Sequence, residues 1–346
     1  MENNKIDILS LTLEGVEKIV ADLGEPKYRA KQIFGWITKG MWGEEMLNVP
    51  KALQKKLEDV CEYRLPKVKR KLVSQLDGTV KYLFELIDGE YIESVFMRYE
   101  HGNTLCISSQ VGCRMGCKFC ASTLLGRVRD LTPSEMLGQI IASQRDTGER
   151  ISNVVMMGIG EPLDNYDNTV KFLRLVSDEQ GLNIGLRHIS VSTCGLVDKI
   201  SALANEGLPI TLSISLHAYD NEVRSAIMPV NNKYPIEALL SECNKYFQKT
   251  GRRISFEYTL IAGKNDTTEG ACRLAAILKR YVKGTCHVNL IPLNEVDETK
   301  LQTSKNVNNF KNKLLSLGIN ATVRRRLGSD INASCGQLRR QEKRDE

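Results

Sequence analysis

From Thr104 almost to its end, the chain alternates apolar runs of strand length with amphipathic runs of helix length, and nothing else restricts the fold as strongly. The candidate strands are Thr104–Ser109, Asn153–Met157, His188–Ser192, Thr211–Leu216, Ile254–Ile261, His287–Ile291 and Thr322–Arg325. Between them lie candidate helices at Pro133–Thr147, Thr169–Ser177, Val197–Asn205, Ile236–Lys249, Thr268–Tyr281 and Val307–Leu317. The first carries its own start signal, because Thr132 and Glu135 form a T-x-x-E capping box with Pro133 at the first helical position. Repeated strand–helix units imply a parallel sheet with right-handed crossovers. About six of them predict an α/β fold with an incomplete (β/α)6 barrel as its core, and barrel sites lie at the C-terminal strand ends.

The preceding stretch reads differently. Residues 1–71 are expected to form a small helical module: Leu13–Leu23 has helical spacing, Pro26 opens a second segment and Pro50 a third. Residues 72–98 read as strands with turns at Asp77-Gly78 and Asp88-Gly89, a β-hairpin extension. Alternation in its last strand puts Tyr91, Glu93, Val95 and Met97 on one face. A carboxylate on an apolar face needs a partner or a cavity, so Glu93 is either a salt bridge at a strand edge or a functional group. The barrel core is expected over residues 99–338, followed by a basic tail at 339–346.

Composition narrows the class. Hydrophobic content of 42% and charged content of 26% are ordinary for a globular protein, and 346 residues suit one large domain plus a small module. No apolar run reaches membrane-span length and MENNKIDILS is no signal peptide, so a cytoplasmic location with no membrane partner is expected. There, ten cysteines point to metal or redox chemistry rather than a disulfide framework. The net charge of +6 is concentrated around Arg64–Lys71, Arg324–Arg326 and Arg339–Arg344. Charge alone reads as solvated surface.

The chemistry-bearing motif is Cys113-x3-Cys117-x2-Cys120, directly after the strand TLCISS. Three thiolates within eight residues hold three corners of an iron–sulfur cubane and leave one iron for an exogenous ligand. A zinc site would need a distant histidine, since none lies in the motif. In this spacing the chain resembles the radical S-adenosylmethionine superfamily, which implies a four-iron four-sulfur cluster (4Fe-4S) and S-adenosylmethionine (SAM) as cofactors. The run Met157-Gly158-Ile159-Gly160-Glu161-Pro162 lacks the last glycine of a dinucleotide fingerprint. By resemblance, Gly160 and Glu161 receive the amino group of the cofactor's methionine. Ser192, then Ser215, Leu216 and His217, and Asn294 complete the cofactor positions on later strands.

Further motifs extend the likeness: CISSQVGC, GCKFCA, MGIGEPL, SLHA, N-K-Y-P-I, HVNLIP and D-I-x-A-x-CGQL. From about Lys27 to Leu338 the chain resembles the RlmN/Cfr family of RNA adenine methyltransferases. That likeness implies the following route. Cys335 takes a methyl group from one SAM, a radical made from a second SAM removes hydrogen from it, and the methylene adds to an adenine carbon. Cys106 then attacks the Cys335 sulfur, releasing the product and leaving a disulfide, while Glu93 serves as the base. The other cysteines are read as small buried hydrophobes.

Pro162 and Pro292-Leu293 resemble the branch that methylates C2 rather than C8. The implied partners are 23S ribosomal RNA at the peptidyl-transferase centre and tRNA beside the anticodon, held by the helical module and Arg324–Arg326. A low-potential donor such as flavodoxin, a cytosolic dithiol reductant and a monomeric state complete the expectations. The rivals are the C8 branch, a radical enzyme acting on a protein or small molecule, and an RNA-binding protein with a structural cluster. The second rival needs no Cys335.

Overall fold

The computed structural model describes residues 5–294, 300–333 and 337–345. The N-terminal module consists of β1 (Ile6–Asp7), α1 (Leu13–Asp22), α2 (Tyr28–Ile37), α3 (Lys51–Val60) and β2 (Cys61–Glu62), with β1 and β2 pairing in parallel. Thr12 caps α1, and the helices bury Val16, Ile19, Val20, Ile33, Phe34, Ile37, Leu53 and Leu57. Asp7 Oδ2 accepts from Ser134 Oγ (2.6 Å) and Ser10 Oγ accepts from Ser134 N (3.0 Å), fastening the module to the N-terminus of the first barrel helix.

Three antiparallel strands follow: β3 (Lys67–Val73), β4 (Val80–Glu85) and β5 (Tyr91–Met97). The basic run Arg64–Lys71, expected within the helical module, mostly forms edge strand β3, six of whose seven residues are exposed. Lysines on an edge strand hinder pairing with another chain, and Lys69 and Lys71 pair with Glu85 and Asp146.

The barrel begins with β6 (Thr104–Cys106). A short ladder, β7 (Gln110–Gly112) with β8 (Arg127–Asp130), brackets the cysteine loop before α4 (Pro133–Thr147). Then come β9 (Asn153–Met156), α5 (Tyr166–Val176), β10 (Ile189–Thr193), α6 (Val197–Asn205), β11 (Thr211–Ser215), α7 (Asn221–Ile227), α8 (Ile236–Thr250), β12 (Ile254–Leu260), α9 (Thr268–Tyr281), β13 (Cys286–Pro292), α10 (Val307–Ser316), β14 (Ala321–Val323) and α11 (Gln337–Asp345). One ten-stranded sheet runs in the order β14-β13-β12-β11-β10-β9-β6-β5-β4-β3, parallel from β14 to β6 and antiparallel beyond. The Thr132–Glu135 capping box is present, with Glu135 Oε2 accepting from Thr132 N at 2.9 Å.

Strand alternation divides the sheet into two faces. Val154, Met156, Val191, Leu212, Ile214, Phe256, Tyr258, Val288 and Leu290 form the buried core. The opposite set, which includes Ser190, Ser192, Ser213, Ser215, Ser255, Glu257 and Asn289, is polar and lines the lumen. The sheet's far ends are tied together: Asp77 Oδ2 accepts from Gly328 N (2.9 Å), and Ser74 Oγ donates to Asp330 (2.6 Å). The sheet therefore curls into a partial barrel whose gap is bridged by the segment after β14.

That segment ends in α11, which packs on β5 with Leu338 buried against Leu83 and Tyr91. The expected solvated tail is thus a docked helix. Arg339 is 4% exposed and Glu90 pairs with both Arg339 and Lys343.

Candidate active site

The cysteine loop is held shut at its neck. Gly112 has φ +79°, and a Cβ there would lie 1.8 Å from the Gly126 carbonyl oxygen, so only glycine fits. Cys113 N donates to the same oxygen (3.1 Å), and Arg114 clamps Asp164 with Nε–Oδ2 at 3.0 Å. Cys113 and Cys117 are buried and Cys120 is half-buried. Burial pushes the Cys113 thiol up to about 12 and Cys117 well above the ordinary thiol range, with Cys120 adding to both. Thiolates at these positions require a bound cation to stabilise them. Among the described residues no three His, Cys, Asp or Glu side chains converge tightly enough for a single ion. A cubane, with its irons at separate corners, takes thiolates set further apart than a single ion does, and these three, all bordering one cavity, fit one.

Beside the loop lies a cavity of about 220 Å³ bordered by Cys113, Cys117 and Cys120, and by Gly160, Glu161, Ser192, Ser215 and His217. Gly160, at φ +111°, passes so near the β6–β7 connection that a Cβ would meet Gln110 N at 2.7 Å. The loop is zipped in place by Ser109 N to Ile159 O (2.8 Å) and Glu161 N to Gln110 Oε1 (2.9 Å). Glu161, 4% exposed, accepts from Cys194 N (2.7 Å) and Leu163 N (3.0 Å). Burial raises its pKa, and these N–H groups oppose the rise. Ser192 and Ser215 hydroxyls face each other at 3.5 Å.

His217 adopts φ +55°, rare for a residue with a Cβ. Its Nδ1 accepts from Thr259 N (2.9 Å), and burial pushes its pKa down to about 3. The ring is therefore neutral, with its proton on Nε2. The Leu216 side chain lies in the hydrophobic core, and its backbone N–H and carbonyl are taken by Glu257 O and Arg224 Nε. Asn294 borders a neighbouring cavity.

That second cavity, about 280 Å³, meets the first at Phe119, Cys120, Met157, Ile291 and Arg324. Cys106 lines it from β6, 7% exposed, and pairs in register with Val95 of β5 and Val155 of β9. Glu93 lies two residues before Val95, on the same face. It is no strand-edge salt bridge: Glu93 and Lys81 are 1% and 0% exposed and 3.1 Å apart. Glu93 Oε1 also accepts from Arg339 N (2.8 Å), and Lys81 Nζ donates to Asn332 O (3.1 Å). Cys335 lies outside the described residues.

Four lumen or site residues escaped the sequence reading. Glu257 is a buried carboxylate held by Asn289 Nδ2 (2.8 Å); burial raises its pKa, against the pull of Arg324. Its signal was available, since Glu257 interrupts an apolar strand as Glu93 does. Lys81 carries the same signal in β4. Arg324, grouped with the surface charges, turns inward and its Nη2 meets Met157 Sδ at 3.0 Å, whereas Arg325 and Arg326 are exposed. The fully buried Arg224 lies on α7, a helix that the sequence reading did not identify.

No helix among the described residues is long and apolar enough to cross a membrane. Residues 107–275 match the family model described as the radical SAM superfamily, and residues 6–63 match the ribosomal RNA large subunit methyltransferase N-terminal domain. Proteins described as probable dual-specificity RNA methyltransferase RlmN are close relatives. The one from Clostridium tetani is 52% identical over 97% of both chains, and that from Alkaliphilus oremlandii is 53% identical over 97% of this chain and 98% of its own. The crystal structure of a radical SAM methyltransferase from Sphaerobacter thermophilus superposes with a TM-score of 0.91 at 41% identity, covering 96% of this chain and 98% of that one. With the cysteine loop, the two joined cavities and near-complete coverage in agreement, the chain belongs to the RlmN family of radical SAM methyltransferases.

Proposed function

We propose that the protein methylates C2 of an adenine in 23S ribosomal RNA and in tRNA, through a methyl group carried on Cys335. The observation that carries this reading is Cys106 in the wall of the cavity that Cys120 also borders, with Glu93 on the same sheet face. Adenine C2 is electron-poor and not nucleophilic, so direct polar transfer from a sulfonium cannot reach it. Cys113, Cys117 and Cys120 would hold a cluster that, with SAM, would supply the radical that activates the methyl group.

The chain's own residues do the rest. Gly160 lets the backbone approach the cofactor, and Glu161, Ser192, Ser215 and His217 offer polar groups along one cavity wall. His217, neutral, offers a donor without adding charge. Cys106 attacks the Cys335 sulfur, forming a Cys106–Cys335 disulfide as the carbon–sulfur bond to the base breaks, and the carbon keeps the bonding pair and takes up a proton to become the methyl group. Glu93 accepts the proton lost from C2 as the radical adduct gives up one electron, which a cluster on the three cysteines would take back. The disulfide is then reduced by a dithiol system, and a flavodoxin-like donor supplies electrons. A monomer in the cytoplasm suits these partners.

Arg325 and Arg326 at the cavity mouth and lysines of the N-terminal helices would hold RNA phosphates, making binding fall steeply with salt. The relatives' description as dual-specificity RNA methyltransferases supports two RNA substrates. Nucleoside analysis of RNA treated with the enzyme tests the reading: 2-methyladenosine supports it, and 8-methyladenosine or no modified adenosine overturns it.

A further inference from the structure

Arg224 heads the large side chains that are fully buried, and its guanidinium has no carboxylate partner among the described residues. Nε donates to Leu216 O (3.1 Å), Nη1 to Asn231 Oδ1 (3.2 Å) and Tyr234 O (3.4 Å), and Nη2 to Cys194 O (2.6 Å) and Ser215 O (3.2 Å). Every acceptor is neutral. Hydrogen bonds satisfy the N–H groups but do not neutralise the charge, and an uncompensated buried cation is strongly unfavourable.

The guanidinium reaches the cysteine loop through Cys194, whose carbonyl it holds and whose side chain packs in one cluster with Cys117. Cys117 belongs to the cluster motif. The helix bearing Arg224 is also the bed of the cysteine loop: Lys118 N donates to Ile227 O (2.9 Å), and Cys117 and Cys194 pack with Ile227 and Met228. A cubane held by three thiolates is anionic, and reduction adds a further negative charge.

We propose that Arg224 is the buried counter-charge of the cluster, raising its reduction potential from the bed of the cysteine loop while its fork fixes Cys194, Ser215 and Leu216, the first two of which border the SAM cavity. The role rests on the reading of Cys113, Cys117 and Cys120 as cluster ligands. Arg224 touches neither substrate nor cofactor and is a positioning residue. The same charge that would destabilise an apolar interior becomes favourable once the thiolates carry metal.

The test is a potentiometric titration of the anaerobically reconstituted full chain, followed by electron paramagnetic resonance of the reduced cluster. Arg224→Met can fail to fold, so the comparison is between Arg224→Lys, which keeps the charge, and Arg224→Gln, which keeps hydrogen bonding. At one fixed solution potential, Arg224→Gln is expected to show at least a tenfold lower ratio of reduced to oxidised cluster than Arg224→Lys, equal to 59 mV for a one-electron couple. Arg224→Lys is expected to stay near the wild type. Equal midpoints in the two variants overturn the proposal, because a purely structural role would not separate them by charge. A wild-type chain that binds no cluster overturns the reading of the cysteine loop itself.

Discussion

Lys81 Nζ and the Glu93 carboxylate meet at 3.1 Å inside the barrel, with 0% and 1% of their side chains exposed. Breaking a buried pair from one side costs ~3–5 kcal/mol, because the remaining charge loses its partner. Lys81→Met should therefore destabilise the protein by that order, and Lys81→Met with Glu93→Gln should recover much of the loss. Urea unfolding of the two variants checks this, and equal stability of both would remove the electrostatic argument.

If Glu93 is the base, Glu93→Gln should slow RNA product formation by tenfold or more while Cys335 is still methylated. Quenched-flow product analysis and peptide mass spectrometry separate the two steps. An unchanged product rate would return Glu93 to a purely structural ion pair.

Cys106 and Cys120 line the same cavity. Cys106→Ala should trap the chain covalently on RNA through Cys335, since the resolving thiol is gone. A slow-migrating protein–RNA band, lost on nuclease treatment, is the expected result. Normal turnover without a crosslink would refute the role.

His217 makes stability depend on pH. Its folded pKa of about 3 lies below the ordinary 6.5 because burial disfavours the charged ring. The unfolded chain therefore binds the proton first. The contribution is fully present above pH 6.5 and is lost as pH falls toward 3, at up to ~1.4 kcal/mol per pH unit. His217→Asn tolerates the left-handed backbone, and should flatten the unfolding free energy across that window relative to the wild type. Parallel pH curves for the two proteins would contradict this.

The strand–helix alternation was legible because each element carries its own period and caps: Pro133–Thr147, Val197–Asn205 and Thr268–Tyr281 begin and end where the sequence places them. The cysteine motif and the glycines after β9 were legible because close approach leaves few residue choices. What the sequence could not show depends on contacts across long separations. Asp77-Gly78 reads as a turn, but nothing local says that Asp77 reaches Gly328 and closes the barrel. The basic run after Arg64 reads as part of a helical module because charge carries no period, and the C-terminal charges look solvated until Leu338 finds Leu83 and Tyr91. Arg224 was invisible because its reason for burial lies on other strands.

In the proposed route, Cys335 carries the methyl group on its way to RNA. Peptide mass spectrometry of the anaerobically purified, cluster-loaded chain, given SAM bearing a labelled methyl group, tests it most directly. One labelled S-methyl group is expected on Cys335, which disappears on addition of RNA as the label enters 2-methyladenosine. An unmodified Cys335 in a cluster-loaded enzyme that still methylates RNA would contradict it.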